Sequence, residues 1–319
     1  MAAVTETKGQ VASLKIERPK AESLTRIALR RFLRHRMAVF GVFLLSSVLL
    51  FCTLGMAFYS EGFANQPYPE KAFNPPSAEH IFGTDQVGRD VLARMIYGGQ
   101  ISLMIGITAI TIAITIGTTV GLITGYVAGG KLGWIDSLLM RFVEALLAFP
   151  ILVLLLLLSK WLAANTSTVN ILGREISATV VNIVMLIGLT GWMGLSRIVR
   201  ALVLSLKERE FITAARTIGA SDARILIQHI LPNCIAPIMV TATLGVGGAI
   251  VTESYLSFLG FGVQPPTATW GNIMERVRNS FDEAWWLWVT PGTFTVITVL
   301  AINFIGDGLR DALDPRNIK

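Results

Sequence analysis

Gly125–Leu132 carries a spacing that comes close to a ligand-binding motif. In a phosphate-binding loop, glycine amides surround the phosphates, and a Lys followed by Ser or Thr contacts the terminal phosphate and magnesium. Gly125, Gly130 and Lys131 fit that spacing, but Leu132 occupies the position that requires a hydroxyl. The segment also follows a long apolar run rather than a strand. We therefore predict that no nucleotide binds here.

The other residues with reactive side chains are scattered along the chain. His35, His80 and His229 are far apart and lack companion ligands at the spacing of a zinc site. No Gly-x-Ser-x-Gly sequence, which presents the nucleophile of many hydrolases, occurs in the chain. Cys52 and Cys234 lie inside apolar runs rather than in loops, so we interpret them as packing residues. These observations predict neither a metal site nor an enzyme.

A polar block over residues 207–222 has the pattern of a short helix with a small apolar face. Phe211, Ala215 and Ile218 recur at i, i+4 and i+7. Gly219 follows, and glycine commonly ends a helix because it adopts left-handed backbone angles readily. A short exposed helix with an apolar face needs a partner into which it docks.

Four polar residues near the ends of apolar segments each leave two interpretations open. They are Glu208, Glu210, Asn303 and Asp307. The two glutamates either pair with basic residues of a partner or lie on a solvated face, which we favour. The other two lie near the end of the last apolar run, where an acid either holds Arg310 or a loop, or faces a permeation route. We favour a structural tie because residues 306–308, Gly-Asp-Gly, have the pattern of a helix end.

Four glycines recur at every fourth position of the second apolar run. They are Gly117, Gly121, Gly125 and Gly129. Residues at this spacing stack on one helix face, and small residues there let a second backbone approach closely. The stripe either packs within this chain or contacts a second membrane subunit, and we favour packing within the chain.

Six runs without charged residues must position these candidates. The chain has 319 residues, of which 53% are hydrophobic and 15% charged, against about 25% charged in soluble domains. The runs are Met37–Ser60, Ile101–Gly130, Ala145–Ser159, Ile176–Ser196, Ile230–Thr252 and Ala284–Gly306. A helix needs about 20 apolar residues to cross a bilayer. The third run reaches that length only if residues 142–144 extend it. We predict an all-α polytopic membrane protein with six transmembrane helices.

The loop charges predict the orientation of these helices. Of the 27 Lys and Arg residues, 20 fall in segments on the side that holds both termini, and 7 fall in the alternate segments. The acidic residues divide almost evenly between the two sides, 11 against 10. Because Lys and Arg near helix ends stay in the cytoplasm, both termini are predicted there.

The predicted orientation places two groups of residues on the outer side of the membrane. Trp285, Trp286 and Trp288 lie where the sixth span begins and are interpreted as an aromatic belt at the membrane interface. Glu253, Glu275, Asp282 and Glu283 are also predicted outside. These acids either form a solvated face, which we favour, or meet a partner or a cationic end of a solute.

The runs and charges divide the chain into five predicted segments. These are a cytoplasmic tail with an amphipathic basic helix (1–36), a first transmembrane helix (37–60), an extracytoplasmic segment (61–100), a five-helix domain (101–308) and a cytoplasmic tail (309–319). In the first tail, basic residues such as Arg26 and Arg30 among leucines suit anionic lipid better than nucleic acid. Val91, Leu92, Met95 and Ile96 predict a short surface helix that leads into the second span.

The block over residues 207–233 resembles the EAA loop of type I ABC importer permeases, the coupling helix that fits a cleft on the ATPase. The matching residues are Thr213-Ala214-Ala215, Gly219 and Ile230-Leu231-Pro232-Asn233. Thr213 stands where the family usually has Glu, and His229 occupies a position that is often aliphatic. The loop within residues 205–224 is therefore expected to couple this chain to an ATPase.

Further stretches are similar to the C-type permease of dipeptide and oligopeptide importers. They are His80–Asp90 with Tyr97-Gly98 and Ser102-Leu103, Gln264–Thr267 with Trp270-Gly271, and Asn303–Arg316. Gln100 and Ala93 depart from an Arg and a Ser that are common at those positions. The resemblance covers residues 30–316.

The resemblance implies a type I ABC importer transmembrane fold in a cell (inner) membrane, together with a set of partners. These are a homologous B-type permease, two ABC ATPases that bind ATP and magnesium, an extracytoplasmic solute-binding protein and membrane lipid. This chain itself is expected to bind no cofactor, catalyse no reaction and contact no nucleic acid. The implied ATPase-coupling residues are Glu208, Glu210, Phe211, Thr213, Ala214, Ala215, Arg216 and Gly219.

The resemblance also bears on the solute and the transport route. Asn303 and Asp307 are candidates for translocation or gating. Peptides are the default solute, although related permeases carry nickel chelates and oligosaccharides. The alternative function is a secondary transporter or channel, which would need ion-coupling carboxylates that the apolar runs lack.

Overall fold

A computed structural model describes residues 23–162, 167–171, 173–275, 277 and 281–314. Residues 1–22 of the predicted tail, and Pro315 and Arg316 of the predicted closing stretch, lie outside the described residues. The described chain is helical apart from one small antiparallel sheet, and the predicted all-helical architecture is confirmed.

The elements are numbered here in chain order. They are α1 (Leu24–Arg34), α2 (Arg36–Leu54), α3 (Glu61–Asn65), α4 (Val91–Val127), α5 (Gly133–Leu147), α6 (Ile151–Leu162), β1 (Thr168–Ile171), β2 (Arg174–Ser177), α7 (Ala178–Lys207), α8 (Glu210–Thr217), α9 (Asp222–Arg224), α10 (Leu231–Phe258), α11 (Trp270–Glu275) and α12 (Trp286–Leu313). A π-helical stretch, Ile225–Ile230, joins α9 to α10. The two strands pair in register from Thr168–Ser177 to Ile171–Arg174.

Among the residues that the structure describes, five helical segments are long and apolar enough to cross a membrane. They are Arg36–Ala57, α4, α7, Asp222–Phe258 and α12. The third predicted span is instead divided into α5 and α6, whose axes differ in direction by 87°. Pro150 lies at the break, where its missing N–H and its ring disfavour a continuous helix. Within the described residues, the bundle therefore contains five continuous candidate spans and one bent pair.

Helix α4 is longer than the sequence predicted. The expected surface helix at Val91 is the first part of α4, which continues without a break to Val127. The carboxylate of Asp90 caps the helix by accepting a hydrogen bond from the Ala93 amide at 2.8 Å. At about 1.5 Å per residue, α4 is about 55 Å long and exceeds a bilayer core of about 30 Å. One rod thus connects the two ends of the bundle.

Three glycines let α4 and α7 pack closely. A Cβ on Gly117 would lie 2.8 Å from the Trp192 carbonyl oxygen, and one on Gly121 would lie 2.6 Å from that of Ser196. Gly125 faces Val203 at the same short separation, 2.6 Å. These three therefore pack within the chain, whereas Gly129 lies beyond the helix with φ +75° and nothing within 4 Å.

Two helices extend past the charge-free runs that predicted them. Arg197 and Arg200, predicted in a cytoplasmic loop, lie within α7. The predicted helix end at 306–308 is also wrong, because α12 continues to Leu313. Both glycines of that triplet sit at close contacts: a Cβ on Gly308 would lie 2.2 Å from that of Ala38. They serve packing between helices rather than a turn.

The N-terminal helix α1 lies against the end of α12. His35 caps α2 through its Nδ1, which accepts from the Ala38 amide at 3.1 Å. Its Nε2 lies 3.5 Å from the Asp311 carboxylate. Leu29 and Leu33 of α1 are 58% and 61% exposed, so the helix keeps an unpacked apolar side.

Candidate functional site

The loop between α7 and α10 contains α8, which ends at a left-handed glycine as predicted. Gly219 has φ +85°. Its amide donates to the Arg216 carbonyl at 2.9 Å, and the Ala220 amide donates to the Ala215 carbonyl at 3.0 Å. This pair of bonds satisfies the last carbonyls of the helix, and glycine adopts the required backbone angle without a Cβ clash.

Helix α8 packs on the bundle through a face that differs from the predicted one. Ile212 is 0% exposed and Ala215 is 5% exposed, and both join a cluster with Ile225 and Ile230. Phe211 and Ile218 point away and are 44% and 85% exposed. The predicted apolar face is therefore wrong at Ala215, because Ile212 determines which side of the helix turns inward.

The exposed side of this loop combines acidic and apolar residues. We call it the α8 surface; its members are Glu208, Glu210, Phe211, Thr213, Ala214 and Ile218. Within the part of the chain that the structure describes, neither glutamate forms an ion pair. Phe211 and Ile218, 44% and 85% exposed, add apolar surface beside these two acids. This surface is suited to contact a partner that offers an apolar pocket and basic groups.

Tyr126, near the end of α4, fixes the loop to the bundle, although the sequence analysis did not single it out. Its hydroxyl donates to the Asp222 carboxylate. The Arg216 guanidinium lies 5.8 Å from the centre of its ring, within range of a cation–π contact. Nearby, the Lys207 ammonium donates to the Ala128 carbonyl at 2.5 Å. The Tyr126 contacts thus tie the candidate loop to α4, and the Lys207 bond ties the end of α7 to the end of α4.

Asn303 and Asp307 lie on α12, within the helix rather than at its end. Asn303 is half-buried, and its Oδ1 lies 3.8 Å from the position that a Cβ on Gly247 would take. Asp307 is exposed, and among the described residues it makes no ion pair with Arg310. The favoured tie to Arg310 is therefore not formed.

A second polar site lies at the other end of α4, in the stretch from His80 to Asp90. His80 Nδ1 lies 2.8 Å from the Asp90 carboxylate, which also caps α4. The Asp85 carboxylate accepts from Arg89 Nε at 2.7 Å and lies 3.8 Å from Arg94 Nε. All five side chains are buried. We call this group the outer cap.

Two residues predicted at the outer surface are instead internal. Trp286 is 3% exposed, and its Nε1 donates to the Thr84 carbonyl at 3.1 Å, so it fixes the outer cap to α12. Glu253 is fully buried in α10 and accepts hydrogen bonds from Ser102 at 3.1 Å and Ser257 at 2.8 Å. Both predictions are wrong because tertiary partners satisfy these polar groups away from water.

Comparisons with known proteins converge on one family. Residues 117–319 match the profile described as binding-protein-dependent transport system inner membrane component. Residues 23–76 match the N-terminal transmembrane domain of oligopeptide transport permease C. These two matches cover both the α8 loop and the first span.

Curated relatives agree over nearly the whole chain. A putative peptide transport system permease protein of Brucella abortus is 41% identical over 290 residues, 90% of each chain. A putative peptide permease protein of Brucella suis is 42% identical over 288 residues, 90% of this chain and 89% of the relative. The dipeptide transport system permease protein DppC of Bacillus subtilis is 38% identical over 302 residues, 94% of this chain and 88% of its own.

Proposed function

This chain belongs to the family of binding-protein-dependent transport system inner membrane components, and from that premise we propose how it couples transport to ATP. It is a multi-pass inner-membrane permease of an ABC importer. We propose that it assembles with a homologous B-type permease, two ABC ATPases and an extracytoplasmic solute-binding protein. ATP and magnesium then bind on the ATPases, and this chain contributes no catalytic residue and no cofactor site.

Six spans with both termini in the cytoplasm form part of the proposal. Counting the bent pair α5 and α6 as one span gives six crossings. The excess of Lys and Arg on the side that holds α8 supports this orientation. The α8 surface then faces the cytoplasm, and the outer cap faces the solute-binding protein. On the cytoplasmic side, α1 presents Arg26, Arg30, Leu29 and Leu33 to anionic lipid.

Peptides are the proposed solutes. The relatives named above are described as peptide or dipeptide permeases, at 38–42% identity over about nine-tenths of this chain. The solute-binding protein would select among peptides before delivery. Asn303 and Asp307 remain candidates for lining or gating the route.

The coupling step rests on one observation: α8 buries one side in the bundle and leaves the other side open. Ile212 and Ala215 hold the helix, while Phe211 and Ile218 are free to enter a cleft on an ATPase. Glu208 and Glu210 offer charges to basic residues around that cleft. When ATP draws the two ATPases together, α8 moves with them, and the spans open the route to the outside.

Movement of α8 reaches the spans through Tyr126. The hydrogen bond to Asp222 and the contact with Arg216 join the loop to α4, which runs the full height of the bundle. An effector shifts an equilibrium only by its difference in affinity for the two states. The ATPase must therefore bind the α8 surface differently in the inward-open and outward-open states.

A charge placed on the α8 surface tests the proposal. Ile218→Asp changes a side chain that is 85% exposed, so it removes little packing from this chain. We expect ATP-driven uptake into proteoliposomes to fall more than tenfold, because the charge would have to enter an apolar cleft. Leu132→Asp, at a 52% exposed position on the same side, is the matched control and should transport normally.

The same preparation distinguishes the alternative function. A secondary transporter or channel would move solute without ATPases, and the Ile218→Asp protein would then transport as well as the wild type. Uptake that persists after the ATPases are removed would overturn the proposal.

A further inference from the structure

The helices α5 and α7 carry charged residues within segments that are otherwise suited to a membrane. Asp136, Arg141 and Glu144 lie in α5, and Arg197 and Arg200 lie in α7. Charged side chains inside membrane helices are costly, so they normally pair with one another or face a water-filled route. Charges on α5 and α7 that lack a partner within the chain therefore indicate where a solute or another subunit binds.

Two of the charges satisfy each other. Arg200 Nε lies 2.6 Å from one oxygen of Asp136, and its Nη2 lies 2.7 Å from the other. Asp136 is buried, and the two-point geometry matches the planar guanidinium to the carboxylate. This pair fixes α5 to α7, and it gives Arg200 an ion-pair partner within the chain.

Glu144 and Arg197 do not form a two-point ion pair of this kind. Both are exposed, and within the described residues neither forms an ion pair. They lie on opposite helices that line one groove of about 630 Å³, which we call the α5–α7 groove. At about 1.5 Å per residue, Glu144 lies about 16.5 Å from the start of α5 at Gly133, and Arg197 lies about 15 Å from the end of α7 at Lys207. The groove thus presents opposite charges at one level of the bundle.

The groove also has room for a ligand. Gly194 also lines the groove, and a Cβ built on it meets nothing within 4 Å. In contrast, a Cβ on Gly121 of α4 would lie 2.6 Å from the Ser196 carbonyl oxygen, so that glycine is covered by α7. Gly194 therefore keeps space open rather than allowing two helices to pack.

We propose that the α5–α7 groove is a binding site on the transport route for solutes that carry both an ammonium and a carboxylate group. The solute ammonium pairs with Glu144, and its carboxylate pairs with the guanidinium of Arg197. Arginine suits the second role because its planar group binds a carboxylate at two points. The proposal rests on the proposed function, because peptides carry both groups at neutral pH.

A thiol at the groove tests whether water and solute reach it. The importer is reconstituted in nanodiscs with Gly194→Cys, and labelling by a charged methanethiosulfonate is followed by mass spectrometry. The native Cys52 and Cys234 are 1% and 0% exposed, so the wild-type complex gives the background. Thr111→Cys, on an exposed face of α4, is the matched control for a side chain that faces lipid. We expect Gly194→Cys to react at least tenfold faster.

The probe for the solute class is dialanine, compared with its N-acetylated and C-amidated form. We expect dialanine to slow labelling of Gly194→Cys and the capped form to have no effect, because only dialanine has both charged ends. Adding Glu144→Gln or Arg197→Gln should raise the dialanine concentration needed for protection about tenfold. Adding Arg141→Gln, which removes a charge from the same helix outside the groove, should leave protection unchanged.

Each other outcome overturns the inference. Equal labelling of Gly194→Cys and Thr111→Cys would mean that the groove faces lipid. Fast labelling without protection, or equal protection by the capped form, would mean that water but no dipolar solute occupies it. Loss of the partner permease from the Glu144→Gln or Arg197→Gln complexes would assign the charges to subunit contact. ATP-driven uptake by the wild-type complex, measured in parallel, tests the proposed function separately.

Discussion

The two ends of α4 differ in whether the polar and apolar side chains beside them are buried or exposed. At the outer cap, His80, Asp85, Arg89, Asp90 and Arg94 are buried and form ion pairs with one another, and only His80 Nε2 and Arg89 Nη2 of these five described side chains are buried without a hydrogen-bond partner. At the α8 surface, charges and apolar side chains are exposed without partners among the described residues. A cluster whose charged groups are buried and paired with one another maintains structure, whereas a surface that exposes adjacent acidic and apolar side chains is available to a partner. The contrast separates the part that stabilises the bundle from the part that we propose contacts the ATPases.

The outer cap should show the largest effect on stability. Asp85→Ala removes the carboxylate that lies between two buried arginines, which are 6% and 1% exposed. Breaking a buried ion pair from one side costs about 3–5 kcal/mol. We expect a clear fall in thermal stability in detergent and loss of assembled complex. Asp85→Asn keeps the oxygen that accepts from the Val87 and Arg89 amides, so it should lose less stability than Asp85→Ala. Equal stability of the wild type and Asp85→Ala would contradict the structural role assigned to the outer cap.

Gly219 should come next, with an effect on coupling rather than on the whole bundle. Gly219→Ala puts a side chain at φ +85°, which costs about 1–2 kcal/mol in the left-handed region. We expect uptake to fall several-fold, because α8 loses its defined end, while the melting temperature of the complex changes little. Gly219→Asn is the control, since Asn tolerates this backbone better. Equal uptake by the Ala variant and the wild type would contradict the role assigned to this turn.

Tyr126 should have a smaller effect. Tyr126→Phe removes the hydrogen bond to Asp222 but keeps the ring beside Arg216. A hydrogen bond of this kind contributes about 1 kcal/mol. We expect fewer solute molecules transported per ATP hydrolysed, measured in one proteoliposome preparation. An unchanged ratio would mean that movement of α8 does not pass through this contact.

An exposed ion pair near the outer cap should have the smallest effect. Lys71 donates to Glu79, and this hydrogen bond lowers the pKa of the Glu79 carboxyl below its usual range. Such a pair stabilises above the ordinary carboxyl pKa and is lost as the pH falls through the lowered value. Because water screens both groups, Lys71→Ala should not change stability measurably. A marked loss of stability in Lys71→Ala at neutral pH would show that exposed and buried charges near the outer cap contribute equally to stability.

Local chemistry could be predicted from the sequence, whereas tertiary partners could not. Gly219 was predicted to end α8, because the requirement is set by the residue itself. Five of the six apolar runs located candidate spans for the same reason, whereas the third fell on the bent pair α5 and α6. The charges that cross into the spans were missed: Arg200 is tolerated inside α7 because Asp136, 64 positions away, satisfies it. The burial of Glu253 depends likewise on Ser102, which lies 151 positions away.

The orientation of a short helix was also beyond the sequence. In the eight residues of α8, both Phe211 and Ile212 are apolar, and either could turn inward. The choice is made by Ile225 and Ile230, which form the cluster that Ile212 joins. For the glycine stripe, two interpretations remained open until the close approach of α7 was seen at Gly117, Gly121 and Gly125.

A photocrosslinking amino acid at position 218 tests the central claim most directly. Ile218 is 85% exposed on the α8 surface, and Phe58, 83% exposed beyond α2 on the opposite side, is the matched control. After illumination of the reconstituted importer, we expect position 218 to crosslink to an ATPase subunit in a yield that changes when ATP is added, and position 58 to give no such product. A complex that transports solute yet gives no ATPase crosslink from position 218 would contradict the account.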